Sequence, residues 1–121
     1  MSSKIILFNL NRYVGGGETI LVRYAEYLKR NNVDYSILCA FESSWIESNV
    51  RAKKLNHIRW PLKNDSLIYF PDKILHVRSY LESEFKSDTV INLFTFCMRD
   101  YVNSVLVFRE SRLKINLFHG L

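Results

Sequence analysis

An α/β fold built on an open parallel sheet is predicted by three features of the sequence. Five strand-length apolar runs alternate with amphipathic helical stretches. The first run leads through Gly15-Gly16-Gly17 into a helix. The first strand, helix and second strand fit within about 35 residues, the length of a βαβ unit. At 121 residues the chain has the length of one domain, and 48% hydrophobic residues with only 4 Gly and 2 Pro indicate a packed core.

Lys4 to Leu10 reads as the first strand, apolar on both faces as in a strand covered on two sides. Residues 11–14 form a loop, and a helix begins between Gly16 and Glu18. In that helix Ile20, Leu21, Tyr24, Ala25 and Leu28 make one apolar stripe, leaving Arg23, Glu26, Lys29 and Arg30 to water. Lys29 and Arg30 suit the negative end of the helix dipole, and Asn31-Asn32 is a stop. Tyr35 to Phe41 is a second buried strand, parallel to the first with a right-handed connection.

Ser43 or Ser44 can cap a second helix reaching about Leu55, with Trp45, Ile46, Val50 and Ala52 turned inward. His57 to Trp60 is a short strand closed by Pro61. Residues 61–71 are a connection whose Leu67, Ile68, Tyr69 and Phe70 are too apolar to lie free in water. A third helix runs from Asp72 to Phe85 with Ile74, Leu75, Val77 or Arg78, Leu81 and Phe85 at helical spacing. Thr89 to Phe94 is the fourth strand. Residues 96–112 give a helix expected to carry Tyr101, Val102, Val105, Leu106 and Phe108 inward. Lys114 to Phe118 is the fifth strand. The sum is a Rossmann-like, three-layer α/β/α open sheet of about five parallel strands, in the order 3-2-1-4-5.

Composition narrows the classes. No apolar run approaches the roughly 20 residues of a membrane span. The N-terminus enters a strand at once, without the charged and apolar regions of a secretory signal, so a cytoplasmic protein is expected. The net charge of +5 suits an anionic partner such as a nucleotide diphosphate, a lipid phosphate or an anionic membrane surface. A scattered solvated surface explains it equally well, and no run of four basic residues points to nucleic acid. Cys39 and Cys97 read as small buried hydrophobes rather than a disulfide.

In open parallel sheets ligands sit beyond the carboxyl ends of the strands, where strand order switches direction. The order 3-2-1-4-5 brings three such ends to one rim: Asn11 and the Gly15-Gly16-Gly17 turn, the Thr95-Phe96 corner, and His119-Gly120. Bare glycines at a helix start leave free N–H groups open to an oxyanion. The alternative is a tight turn, or a strand–helix contact that only glycine fits. His119 is either an ordinary strand-end residue or part of the site. Glu18 in the first helical turn reads as a partner of the helix dipole. His57 and His76 are structural, and no histidine pair has metal-ligand spacing, so no metal is expected. A P-loop is excluded because no Lys-Ser or Lys-Thr follows the glycines. A dinucleotide fingerprint would need glycine at Ile20, although Glu42 stands where an acidic ribose ligand belongs, so that reading stays open. Gly-x-Ser-x-Gly is absent.

Gly15-Gly16-Gly17-Glu18 with Ala25 and Leu28 resembles the G-G-A-E-x-x-x-x-x-L-A-x-x-L stretch of two-domain GT-B glycosyltransferases, most closely the family-4 retaining enzymes of bacterial polysaccharide and lipopolysaccharide assembly. Gly17 stands for the usual small residue, and Asn31-Asn32-Val33 replaces the usual Arg-Gly-His. The resemblance implies an N-terminal, acceptor-side domain. Its glycine loop (Gly15, Gly16, Gly17, Glu18) would approach the donor, with Asn11, Thr95 and Gly120 on the cleft rim and His119 as the catalytic-site histidine contacting the transferred sugar. The full enzyme would pass a sugar from a nucleotide-sugar donor to a polysaccharide, lipopolysaccharide or lipid-linked acceptor, with no cofactor.

The resemblance further implies that residues 1–121 are an incomplete N-terminal half lacking its donor-binding C-terminal domain. A cleft enzyme needs both walls, so the chain alone is expected to be inactive in transfer. Peripheral membrane association and self-association are further expectations. Two other readings stand beside this one: a small nucleotide-binding domain of NAD-dependent oxidoreductase or regulatory type, and a non-catalytic half-domain that pairs with a partner chain.

Overall fold

The computed structural model describes residues 2–10, 16–39, 45–58 and 70–120, with backbone alone described over 70–73. Among the described residues nine elements alternate. They are β1 (Ser3–Asn9), α1 (Gly16–Arg30), β2 (Ser36–Cys39), α2 (Trp45–Lys53), β3 (His57–Ile58), α3 (Phe70–Glu84), β4 (Val90–Thr95), α4 (Met98–Phe108) and β5 (Lys114–His119). The five described strands are all parallel and lie in the order β3-β2-β1-β4-β5, as the sequence predicts.

The residue alternation of β1 sorts the two layers. Ile6, Phe8 and Leu10 join Ile91 and Leu93 of β4 in a core closed by Ile74, Val77 and Leu81 of α3 and by Val107 and Phe108 of α4. Leu7 and Ile37 face the other way, onto Leu21, Val22, Ala25 and Leu28 of α1 and Ile46 and Val50 of α2. A strand apolar on both faces is what this two-sided burial demands. Strand order reverses between β1 and β4, whose register sets Phe8 beside Thr95.

Local sequence accounts for most boundaries. Asn32 ends α1 in the left-handed region (φ 57°). Val33 N then donates to Leu28 O at 3.0 Å and Asn32 N to Lys29 O at 3.2 Å, the two bonds of a Schellman cap. Lys54 ends α2 the same way, with Leu55 N donating to Val50 O at 3.0 Å. Beyond α4, Ser111 Oγ and Arg112 N donate to Glu82 at 3.0 and 2.9 Å, tying the turn before β5 to α3. The hydrogen bond from Arg112 N holds the Glu82 carboxyl below its usual range.

Several expectations need correction. In α4 the inward residues are Asp100, Ser104, Val107 and Phe108. Val102, Val105 and Leu106 are exposed, and Tyr101 is half-buried. The helix also ends at Phe108, short of residue 112. Its roll is set by contacts from outside the helix: Leu10 N donates to Asp100 Oδ2, and Arg78 Nη1 donates to Val107 O at 2.9 Å. Leu75 of α3 and Ala52 of α2 are likewise exposed. The caps at Ser43 or Ser44, the end of the third strand at Arg59-Trp60, and the connection 61–69 lie outside the described residues. Cys39 and Cys97 are half-buried and not joined in a disulfide. No described helix is long and apolar enough to cross a membrane.

Candidate functional site

The site forms where β1, β4 and β5 end. Thr95 and His119 are neighbours in the β4–β5 ladder. Gly120 N donates to Thr95 O at 2.7 Å, and Thr95 Oγ1 donates to Phe118 O at 3.2 Å. The pairing therefore continues one residue past β5 and presents His119 and Gly120 at the rim. The His119 ring stacks on Tyr101 of α4, with centroids 5.4 Å apart and planes 20° apart. Its Nδ1 is buried with no hydrogen-bond partner among the described residues.

The glycines divide by role. A Cβ on Gly17 would lie 2.0 Å from the carbonyl oxygen of Phe96, a backbone atom that cannot turn aside. A Cβ on Gly120 would lie 2.7 Å from the Phe96 ring. Both are glycine because Phe96 packs between them, and no described glycine has positive φ. Gly16 differs: among the described residues, a side chain there would meet nothing within 4 Å. It is the first residue of α1, where N–H groups have no helical partners. Gly16, Gly17 and Glu18 thus stand with Thr95, His119 and Gly120 at one crevice. Asn11 and Gly15 lie outside the described residues.

Two carboxylates border this crevice. Glu18 is 5% exposed and Asp100 fully buried. Asp100, in the first turn of α4, accepts a hydrogen bond from Leu10 N at 3.1 Å through Oδ2. Its Oδ1 is buried without a partner among the described residues. Burial pushes its carboxyl up to about 6; Leu10 N and Arg99 oppose that rise, and Glu18 adds to it. An acidic residue one turn into a helix looks in sequence like an ordinary dipole partner. Nothing in the sequence signals that this one reaches back to the end of β1.

Beside the crevice, on the α1 side of the sheet, Ile20, Arg23, Tyr24, Phe94, Phe96 and Gly120 line a largely apolar pocket of about 410 Å³. Tyr24 meets Phe94 edge-on at 5.6 Å, and Phe94 stacks on Phe118 at 4.8 Å. Alternating positions of two adjacent strands build this aromatic wall, with α1 supplying one side. His57, on β3 at the sheet edge opposite β5, and His76, on α3, are exposed. Among the described residues no group of three or more His, Cys, Asp or Glu side chains could hold a metal ion.

The α1 helix opens at Gly16 on this rim, while Glu18 and Asp100 lie buried beside it. An apolar ring or chain fits the adjoining pocket. No family model, curated protein or solved structure matches the chain.

Proposed function

We propose that the chain is the acceptor-side domain of a glycosyltransferase, working opposite a donor-binding domain. The carrying observation is Gly16: it opens α1 with no described residue crowding it, at the rim shared with Thr95, His119 and Gly120. The order 3-2-1-4-5, with its switch between β1 and β4 at that rim, and the resemblance of Gly15 to Leu28 support the same reading.

The carboxylates bear on how a donor would be met. Glu18 and Asp100, buried beside the α1 N-terminus, oppose a doubly charged phosphate there. In this reading the sugar faces the crevice, His119 contacts it, and the diphosphate lies toward the second domain. The same charges work against a dinucleotide held wholly at this turn. The apolar pocket walled by Tyr24 and Phe94 would take the less polar part of the acceptor, and a lipid-carried acceptor would bring the domain to the cytoplasmic face of a membrane.

The test is two-fold. Titrating the chain with UDP-, GDP- and dTDP-sugars, observed by amide NMR, should shift Gly16, Thr95 and His119, with the shifts lost in Gly16→Val. Adding a donor-binding domain should then produce transfer that His119→Ala abolishes. Amides at this rim that stay unmoved by every nucleotide sugar at millimolar concentration would end the proposal.

A further inference from the structure

Helix α4 is inverted. Its inner face holds Asp100 and Ser104 beside Val107 and Phe108. Its outer face carries Met98, Val102, Val105 and Leu106, which are 62%, 50%, 41% and 59% exposed. Those four recur at i, i+4, i+7 and i+8, one continuous stripe. Isolated exposed apolar residues are ordinary, but a full helical stripe is the mark of a contact surface.

We propose that this stripe is a homodimer interface, in which α4 packs antiparallel against α4 of a second copy about a two-fold axis. A two-fold contact requires a strip complementary to itself. Val102 and Val105 straddle the midpoint, and each would meet the other across the axis. Met98 at one end would lie under the Arg109 stem at the other. The flanking charges select the orientation. Arg99 opens one flank of the stripe and Glu110 closes the same flank just beyond the helix, both exposed. A two-fold axis normal to both helices keeps equivalent flanks on one side, so Arg99 of each copy faces Glu110 of the other. In a parallel arrangement Arg99 of one copy and Glu110 of the other would lie about 16 Å apart along the helices, too far to pair. The antiparallel one also opposes the two helix dipoles.

The size of the contact sets its strength. The exposed parts of the four apolar side chains amount to about 400 Å² per copy, or roughly 800–1,000 Å² in total with the arginine stems, the low end for a specific association. Contacts of this size belong to the weak, transient class, for which dissociation between about 10 μM and about 1 mM is expected.

Sedimentation equilibrium of the full chain from about 10 μM to about 1 mM spans that range. The wild type should pass from monomer to dimer. Leu106→Glu and Val102→Glu should weaken association at least about tenfold, and Glu110→Arg by a smaller factor that Arg99→Glu/Glu110→Arg restores. A wild type monomeric throughout, a dimer indifferent to Leu106→Glu, or a double reversal that fails to restore it would overturn the proposal. If a variant loses its native circular dichroism, methyl NMR of the undisturbed chain decides. On dilution the Val102, Val105 and Leu106 methyls should shift, whereas shifts confined to the Phe94–Phe118 face would place the contact elsewhere and refute it.

Discussion

Replacing Asp100 with asparagine should change how the stability of the fold depends on pH. The carboxyl is raised from 3.8 to about 6, chiefly by burial. A difference of about two pH units between folded and unfolded states corresponds to something on the order of 3 kcal/mol. The sign follows from where the proton sits. Between about pH 4 and pH 6 the folded chain keeps a proton that the unfolded chain has released, so this group's contribution to stability falls as pH rises. Above about pH 6 the carboxylate is buried and charged in the folded state, and the full cost is in place.

Asparagine carries no such cost, but it puts an amide where Oδ1 has no partner, a penalty of about 1–3 kcal/mol at every pH if the amide finds no acceptor. Near pH 4 Asp100→Asn should therefore be the less stable protein, and near pH 7 it should equal or exceed the wild type. Urea unfolding followed by tryptophan fluorescence at half-unit steps would give the difference directly. Glu26, held low chiefly by its hydrogen bond from Lys53, and Glu82, held low by Arg112 N, lose their contributions as pH falls. Both are present in each protein, so they cancel. A difference that stays flat across this range, or that moves against the variant as pH rises, would refute the account of Asp100.

Gly17→Ala should cost about 2–4 kcal/mol, because its Cβ meets a backbone carbonyl, whereas Gly16→Ala should stay within about 0.5 kcal/mol of the wild type; chemical denaturation of the pair checks the contrast. Glu82→Ala removes the acceptor for both Ser111 Oγ and Arg112 N, and should cost about 1–2 kcal/mol, with faster amide exchange at Arg112 as its local signature.

The strand order and the α1 stop were legible because each rests on a local signal. Five separated apolar runs leave few ways to lay a parallel sheet, and Asn32 is the residue type that tolerates the left-handed region ending α1. The roll of α4 was not legible for an equally physical reason. Val102, Val105 and Leu106 lie on one side and Val107 and Phe108 on another, so apolar periodicity fits two orientations. Asp100 chooses between them by reaching Leu10 N, ninety residues away in sequence. Arg78 agrees with that choice from α3. Periodicity within a helix carries no record of such bonds.

The same distance problem governs the glycine turn. Gly17 invites a ligand reading in sequence, but its glycine is required by the Phe96 carbonyl, and Gly120 by the Phe96 ring. Leu10, at the other side of the turn, is held by Asp100. The segment joining β1 to α1 is therefore anchored at both ends by one corner, residues 96–100, where β4 gives way to α4. Both anchors come from packing and a backbone-to-side-chain hydrogen bond within the fold itself. This corner also separates two roles that a run of three glycines conceals. Gly17 answers to the fold, and Gly16, with nothing within 4 Å among the described residues, is the position left to the ligand reading at the α1 N-terminus.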